Sequence, residues 1–146
     1  MTARAVLVDT AVLAYAVGGQ HRLRDSCQRV VVAAGAGELE LHASVEMVQE
    51  FLFHRLRMTD RVTAVAQARS AAALCTVHEF TAAILDRAIA LVAESDYIGG
   101  RDAVHAATAL VHGIDVIVSP DRAFDNIVGV RRMTPAGVLA ERGDTA

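Results

Sequence analysis

Residues 5–10 read Ala-Val-Leu-Val-Asp-Thr, a short apolar run that ends on a carboxylate. Such a run predicts a buried β-strand. A second stretch has the same form: residues 114–118 read Ile-Asp-Val-Ile-Val, and Ser-Pro-Asp follows at 119–121. In an open α/β sheet, ligands bind beyond the carboxyl ends of the strands. The two stretches therefore predict that Asp9 and Asp121 lie at the same edge of a sheet, where two carboxylates would suit a divalent metal ion.

The rest of the chain alternates between helical spacing and strand-like alternation of apolar residues. Helices are predicted over about 11–18, 22–34, 45–57, 60–74, 82–95, 102–112 and 134–139, and further strands over about 39–43, 75–80 and 129–133. Thr10 is expected to cap the first of these helices, Ser44 the third and Thr81 the fifth. Strands that alternate with helices predict an α/β fold with a mostly parallel sheet.

The length of 146 residues predicts one domain over residues 1–146, with a core at about 4–140 and a frayed tail at 141–146. No apolar run approaches the roughly 18 residues that a membrane span requires. The first four residues lead straight into a strand and show no signal-peptide pattern. These observations predict a cytoplasmic protein that does not associate with a membrane.

Composition excludes several classes of enzyme. The net charge is −3, and all 14 basic residues are arginine. Receiver domains and haloacid-dehalogenase-like phosphatases both need a lysine near their acids, so neither class fits. The two cysteines lack a metal-ligand spacing and are interpreted as buried apolar residues. The six histidines are scattered along the sequence and predict no metal site or catalytic triad.

Four acids are candidates for a site, and each has a plainer interpretation. Asp9 follows the first strand, where aspartate is also common in turns. Glu50 belongs to a polar helix stripe with Glu46 that could simply face solvent. Asp102 lies at the start of an apolar helix, whose dipole an acid complements. Asp121 could cap the turn after its strand. Asp125, one turn later, is expected at the surface.

Four segments together resemble the PIN-domain family, and most closely its VapC-type toxins. They span about residues 5–125, in the order and spacing of that family. The segments are residues 6–13 (VLVDTAVL), 44–51 (SVEMVQEF), 102–109 (DAVHAATA) and 116–124 (VIVSPDRAF).

The resemblance implies a PIN-like α/β/α sandwich with a mostly parallel central sheet flanked by helices. It also implies a catalytic and metal-binding quartet, with Glu46 a weaker candidate than Glu50 for the family's glutamate. Thr10 and Ser119 fall where the family often has a hydroxyl beside the site, while Pro120 occupies a position that is often not proline. The quartet is Asp9, Glu50, Asp102 and Asp121.

The function implied is Mg²⁺- or Mn²⁺-dependent cleavage of RNA by the toxin of a toxin–antitoxin pair. A cognate antitoxin and a homodimer are implied as partners. The chemistry agrees with this, because carboxylates and water suit Mg²⁺ or Mn²⁺. Arg101 and Arg122 adjoin site acids and could meet RNA phosphates. The alternatives are a PIN-like module that binds RNA or a protein partner without cleavage, and a structural domain whose acids only cap helices.

Overall fold

A computed structural model of the chain describes residues 3–141. The strands are β1 (Arg4–Val8), β2 (Leu39–Ser44), β3 (Thr76–His78), β4 (Val116–Val118) and β5 (Arg131–Met133). The helices are α1 (Thr10–Val17), α2 (Arg24–Gly35), α3 (Val45–Met58), α4 (Arg61–Leu74), α5 (Ala82–Glu94), α6 (Gly100–Val111) and α7 (Pro135–Glu141), and a 3₁₀ turn covers Arg122–Phe124.

The five strands form one sheet in the order β3-β2-β1-β4-β5, and each pair of neighbours is parallel. The chain builds outward from β1 to β2 and β3, and then returns to the other side of β1 for β4 and β5. The sheet therefore has its switch point between β1 and β4, which is where α/β sheets bind ligands. This confirms the predicted α/β fold, in which the sheet is flanked by helices.

Alternate residues of the central strand, β1, pack into two separate hydrophobic cores. Val6 and Val8 belong to a core that packs against α1–α4 and α7, whereas Leu7 belongs to a core built mainly with α5 and α6. All three side chains are fully buried. This alternation is the period of two that a strand imposes. It places helices on both faces of the sheet and gives the α/β/α sandwich.

Side-chain caps fix where several helices begin. The Ser44 hydroxyl accepts a hydrogen bond from the backbone N–H of Met47 at 3.0 Å, so α3 starts directly where β2 ends. Asp60 and Thr81 cap α4 and α5 in the same way. Each such cap satisfies one of the N–H groups that a helix start leaves unpaired.

Some predicted boundaries were wrong. Asp9, not Thr10, occupies the N-cap position of α1, because Asp9 has extended backbone angles and Thr10 is already helical. α6 begins at Gly100, so Asp102 lies inside its first turn. Glu141 is the last residue of α7 rather than part of a tail. Its side chain forms ion pairs with Arg4 and Arg131. The rest of the predicted tail, residues 142–146, lies outside the described residues.

Within residues 3–141, every helix is too short or too polar to cross a bilayer.

Candidate active site

The carboxyl ends of β1 and β4 bring together two residues that lie far apart in sequence. Asp9 follows β1, and its backbone N–H donates to the carbonyl of Val118 at 3.1 Å. The Ser119 hydroxyl, fully buried, donates to Asp9 Oδ2 at 2.8 Å. Asp9 is only 8% exposed. Its carboxylate is therefore held in one orientation at the switch point of the sheet.

Asp121 is tied to the same place through its backbone. Its N–H donates to the Ser119 hydroxyl at 3.0 Å, and its Oδ1 accepts from the N–H of Ala123 at 2.9 Å. The side chain thus caps the 3₁₀ turn, as the plainer interpretation predicted. Asp121 nevertheless acts electrostatically on Asp102, so its charge also belongs to the pocket.

Asp102 enters the pocket from the first turn of α6 and is half-buried. Burial raises the pKa of its carboxyl to about 6, and the negative charges of Asp9, Asp121 and Glu50 add to that effect. The charges of Asp9, Asp121 and Glu50 therefore all act on Asp102. The catalytic and metal-binding roles of these four acids remain predictions.

Glu50 reaches the pocket from α3 instead of joining a solvated stripe. Its side chain is 23% exposed, and Thr10 Oγ1 donates to Oε2 at 3.0 Å. Burial favours the neutral carboxyl, but His105, Thr10 and Arg101 outweigh it and hold the pKa of Glu50 below its usual value. Thr10 was predicted beside the site, and it contacts the glutamate directly.

The pKa of Asp9 shifts in the opposite direction to that of Glu50. Burial raises the pKa of Asp9, although the Ser119 hydroxyl and His105 oppose that effect. One pocket thus contains acids whose pKa values move in opposite directions. Such a division is typical of sites in which carboxyl groups have different tasks.

His105 was missed by the sequence analysis. It is 1% exposed, and a 2.8 Å hydrogen bond joins its Nδ1 to the Ser44 hydroxyl. Its Nε2 lies 3.5 Å from Glu50 Oε2, which is long for a hydrogen bond. The available signal was the spacing to Asp102, because residues three apart share a helix face.

The donor set fits a divalent metal ion. Ligand atoms of Asp9, Asp102 and His105 all lie within 4.8 Å of one another. Glu50 Oε1 and His105 Nε2 are buried and have no hydrogen-bond partner among the described residues. Buried polar atoms of this kind are costly unless something satisfies them. A cation in the pocket would do so and would reduce the repulsion among the acids.

A groove of about 1210 Å³ leads away from the acids between α1 and α3. Near the acids it is lined by Asp9, Glu50 and Arg101, and further out by Phe53 and Met58. The Arg101 side chain is 84% exposed and lies 4.0 Å from Glu50 Oε1. The groove therefore joins a charged end to an apolar end, and both are open to solvent.

Known proteins are similar to this chain along most of its length. The model of the PIN domain family matches residues 6–130. Ribonuclease VapC7 of Mycobacterium tuberculosis is 33% identical over 143 residues, which cover 95% of this chain and 99% of the relative. The VapC ribonuclease Mb1869c of Mycobacterium bovis is 28% identical over 130 residues, covering 88% of this chain and 98% of that protein.

The fold is also found among solved structures. The crystal structure of VapC20 from Mycobacterium tuberculosis, a toxin that cleaves the sarcin–ricin loop, superposes with a TM-score of 0.70 and 20% identity. The superposition covers 86% of this chain and 98% of VapC20. At this identity the likeness concerns the fold, whereas the family model and the 33% identical relative concern the family. On that evidence, the chain belongs to the PIN-domain family.

Proposed function

We propose that this protein is a metal-dependent endoribonuclease that acts as the toxin of a toxin–antitoxin pair. The observation that carries the proposal is the pocket at the switch point, where the ends of β1 and β4, α3 and α6 each contribute an acid. Family membership supports the same activity, since the relatives that match over nearly their whole length are named ribonucleases.

Asp9 and Asp102 would hold the metal ion, with His105 beside them and Glu50 and Asp121 completing the pocket. We propose Mg²⁺ or Mn²⁺, because carboxylates and water suit both ions. When bound, such an ion supplies a nucleophilic hydroxide and stabilises charge on the phosphate under attack.

Side chains of the protein orient the acids of the pocket and supply its charges. Ser119 holds Asp9, and Thr10 holds Glu50. Glu50, ionised at neutral pH and half-buried, is placed to accept a proton or to orient a water molecule. Arg101, with its guanidinium at the pocket mouth, is placed to meet a phosphate of the RNA backbone.

The activity is tested by incubating purified protein with labelled total RNA in Mg²⁺, in Mn²⁺ and in chelator. Asp9→Asn is compared with Asp86→Asn, a matched change at an exposed position on α5. We expect discrete metal-dependent fragments from the unmodified protein and from Asp86→Asn, and none from Asp9→Asn. Absence of cleavage by folded protein in both metals would overturn the nuclease proposal and favour the module that binds without cutting.

We further propose a cognate antitoxin and a homodimer as partners. Apolar side chains are exposed along α3 and α4: Phe53 is 63% exposed, Met58 65% and Val62 82%. Exposed apolar surface of this kind is typical of protein interfaces. Light scattering after gel filtration measures the oligomeric state. Co-purification with the antitoxin tests the second partner, and loss of RNA cleavage in that complex is the expected result.

A further inference from the structure

A second group of side chains of the types that bind metal ions lies outside the acid pocket. One face of β2 carries Glu40, His42 and Ser44 at alternate positions, and α6 packs across this part of the sheet. Ser44 contacts His105 in the pocket, whereas His42 contacts His78 of β3. His112, just past the end of α6, packs against His78 and completes a three-histidine cluster of His42, His78 and His112.

The rings of the cluster meet in two different ways. His42 Nδ1 and His78 Nε2 face each other at 2.8 Å, with ring centroids 5.1 Å apart and planes 5° from parallel. His78 and His112 have centroids only 3.8 Å apart at 22°. The first pair therefore meets edge to edge through its nitrogens, and the second stacks face to face. His78 is thus in direct contact with both of the other imidazoles.

Glu40 orients the first ring. A 2.6 Å hydrogen bond joins His42 Nε2 to Glu40 Oε1. A carboxylate can only accept, so His42 Nε2 carries a hydrogen, and in the tautomer with its only hydrogen there the lone pair of Nδ1 points towards His78. A carboxylate behind a histidine is the usual outer support of a metal-binding imidazole.

His78 is suited to the same task. Burial lowers its pKa, and the neighbouring His112 and His42 lower it further. A lowered pKa favours the neutral form of the ring, which is the form that binds metal ions. His112 is exposed. Its ring stacks on the face of His78, so it would have to leave that position before a third nitrogen could bind the same ion.

We propose that the three-histidine cluster binds one divalent transition-metal ion of the Zn²⁺ class, with Glu40 as outer support of His42. Imidazole nitrogens suit Zn²⁺, Ni²⁺ and Cu²⁺, whereas Mg²⁺ prefers oxygen ligands. Zn–N bonds of about 2.0–2.1 Å in tetrahedral geometry require the facing nitrogens to separate by about 0.5 Å. The site is independent of the nuclease proposal, because it shares none of the residues of the acid pocket.

Binding would join β2, β3 and the residue that follows α6 through one ion. β3 is an edge strand of three residues, and His78 is its last residue. An ion shared by His42, His78 and His112 would fix this edge to β2 and to the end of α6. A ligand that binds only the folded state raises stability.

The test uses the full chain carrying Asp9→Asn and Asp102→Asn, so that the acid pocket does not bind the probe. Zn²⁺ is titrated by calorimetry, and imidazole nitrogens are followed by ¹H–¹⁵N NMR. We expect one saturable site, changes confined to the three clustered rings, and a higher Tm with Zn²⁺. His78→Gln and His112→Gln should each weaken binding at least about tenfold, since changes in the outer shell alone cost that much.

Three controls make the result decisive. His21→Gln, at an exposed histidine outside the cluster, should bind Zn²⁺ unchanged. Glu40→Gln should weaken binding about tenfold while leaving the three rings in place. If the His78→Gln variant does not fold, the His112→Gln variant tests the proposal, because His112 is exposed and its replacement should leave the fold intact. Absence of saturable binding, or equal affinity in His112→Gln and the background protein, overturns the proposal.

Discussion

The Ser119 hydroxyl donates to Asp9 Oδ2 at 2.8 Å and joins two residues 110 positions apart in the chain. Both are buried, and Ser119 also accepts from the backbone of Asp121. One hydroxyl therefore connects two of the four pocket acids. Its removal should affect stability and cleavage together.

Ser119→Ala leaves Asp9 Oδ2 and the Asp121 N–H without this partner. We expect a loss of roughly 1–3 kcal/mol in the free energy of unfolding, since unpaired buried polar groups cost that much. Cleavage should also begin at higher pH, because the Ser119 hydrogen bond lowers the pKa of Asp9. Urea titration and a pH profile measure the two effects. Ser70→Ala, at an exposed site on α4, is the control and should change neither.

Metal binding should weaken as the pH falls through the pKa of Asp102, which is about 6 against an ordinary 3.8. A carboxylate ligand must lose its proton before it binds. We expect about a tenfold loss of Mn²⁺ affinity for each pH unit below that value. Calorimetry at several pH values measures it, and affinity independent of pH between 5 and 7 would contradict the assignment of Asp102.

The raised pKa of Asp102 also affects the stability of the metal-free protein, in the opposite direction to its effect on metal binding. Because the pKa of Asp102 is higher in the folded chain, the folded chain binds more protons between about 3.8 and about 6. Stability therefore falls as the pH rises through that window. Asp102→Asn should flatten this dependence in urea titrations made with chelator present. An unchanged slope in the variant would assign the effect to another group.

Glu50→Gln and Glu46→Gln form a matched pair on one helix. Glu50 contacts Thr10 and lies beside His105, so its charge belongs to the pocket, whereas Glu46 lines the groove. We expect Glu50→Gln to reduce cleavage by about 100-fold or more, in the range that general acid–base groups supply. Glu46→Gln should retain most activity. The reverse result would assign Glu46, and not Glu50, to the position of the family's glutamate.

His105→Gln tests whether this histidine positions the pocket or only fills space. The change removes the imidazole between Ser44 and Glu50. We expect weaker Mn²⁺ binding, by about tenfold, in protein that remains folded by circular dichroism. A purely packing role would lower Tm and leave Mn²⁺ affinity unchanged. His21→Gln should alter neither quantity.

Much of the fold was predictable because the determining signals are local. The apolar runs at β1 and β4 and the caps at Ser44 and Thr81 depend on a few adjacent residues. The predicted acids could be placed at one sheet edge because parallel strands end together. The β4 strand is shorter than expected, however, and begins at Val116 rather than Ile114.

The histidines show what local signals miss. His42, His78 and His112 are far apart in sequence, and only the order of the strands and the path of α6 bring them into contact. The direction of Glu50 was equally undetermined. From sequence alone, a polar residue on a helix is expected to face solvent. The Glu50 side chain instead faces α1, where the Thr10 hydroxyl donates a hydrogen bond to it.

The strand order also governs when the pocket can exist during synthesis. β1 precedes the other described strands in the chain, but its partner at the pocket, β4, comes only after six helices and two further strands. A chain still on the ribosome presents Asp9 long before Asp102, Ser119 and Asp121 have been added. The pocket, and with it the proposed nuclease activity, is therefore complete only once most of the core has been translated.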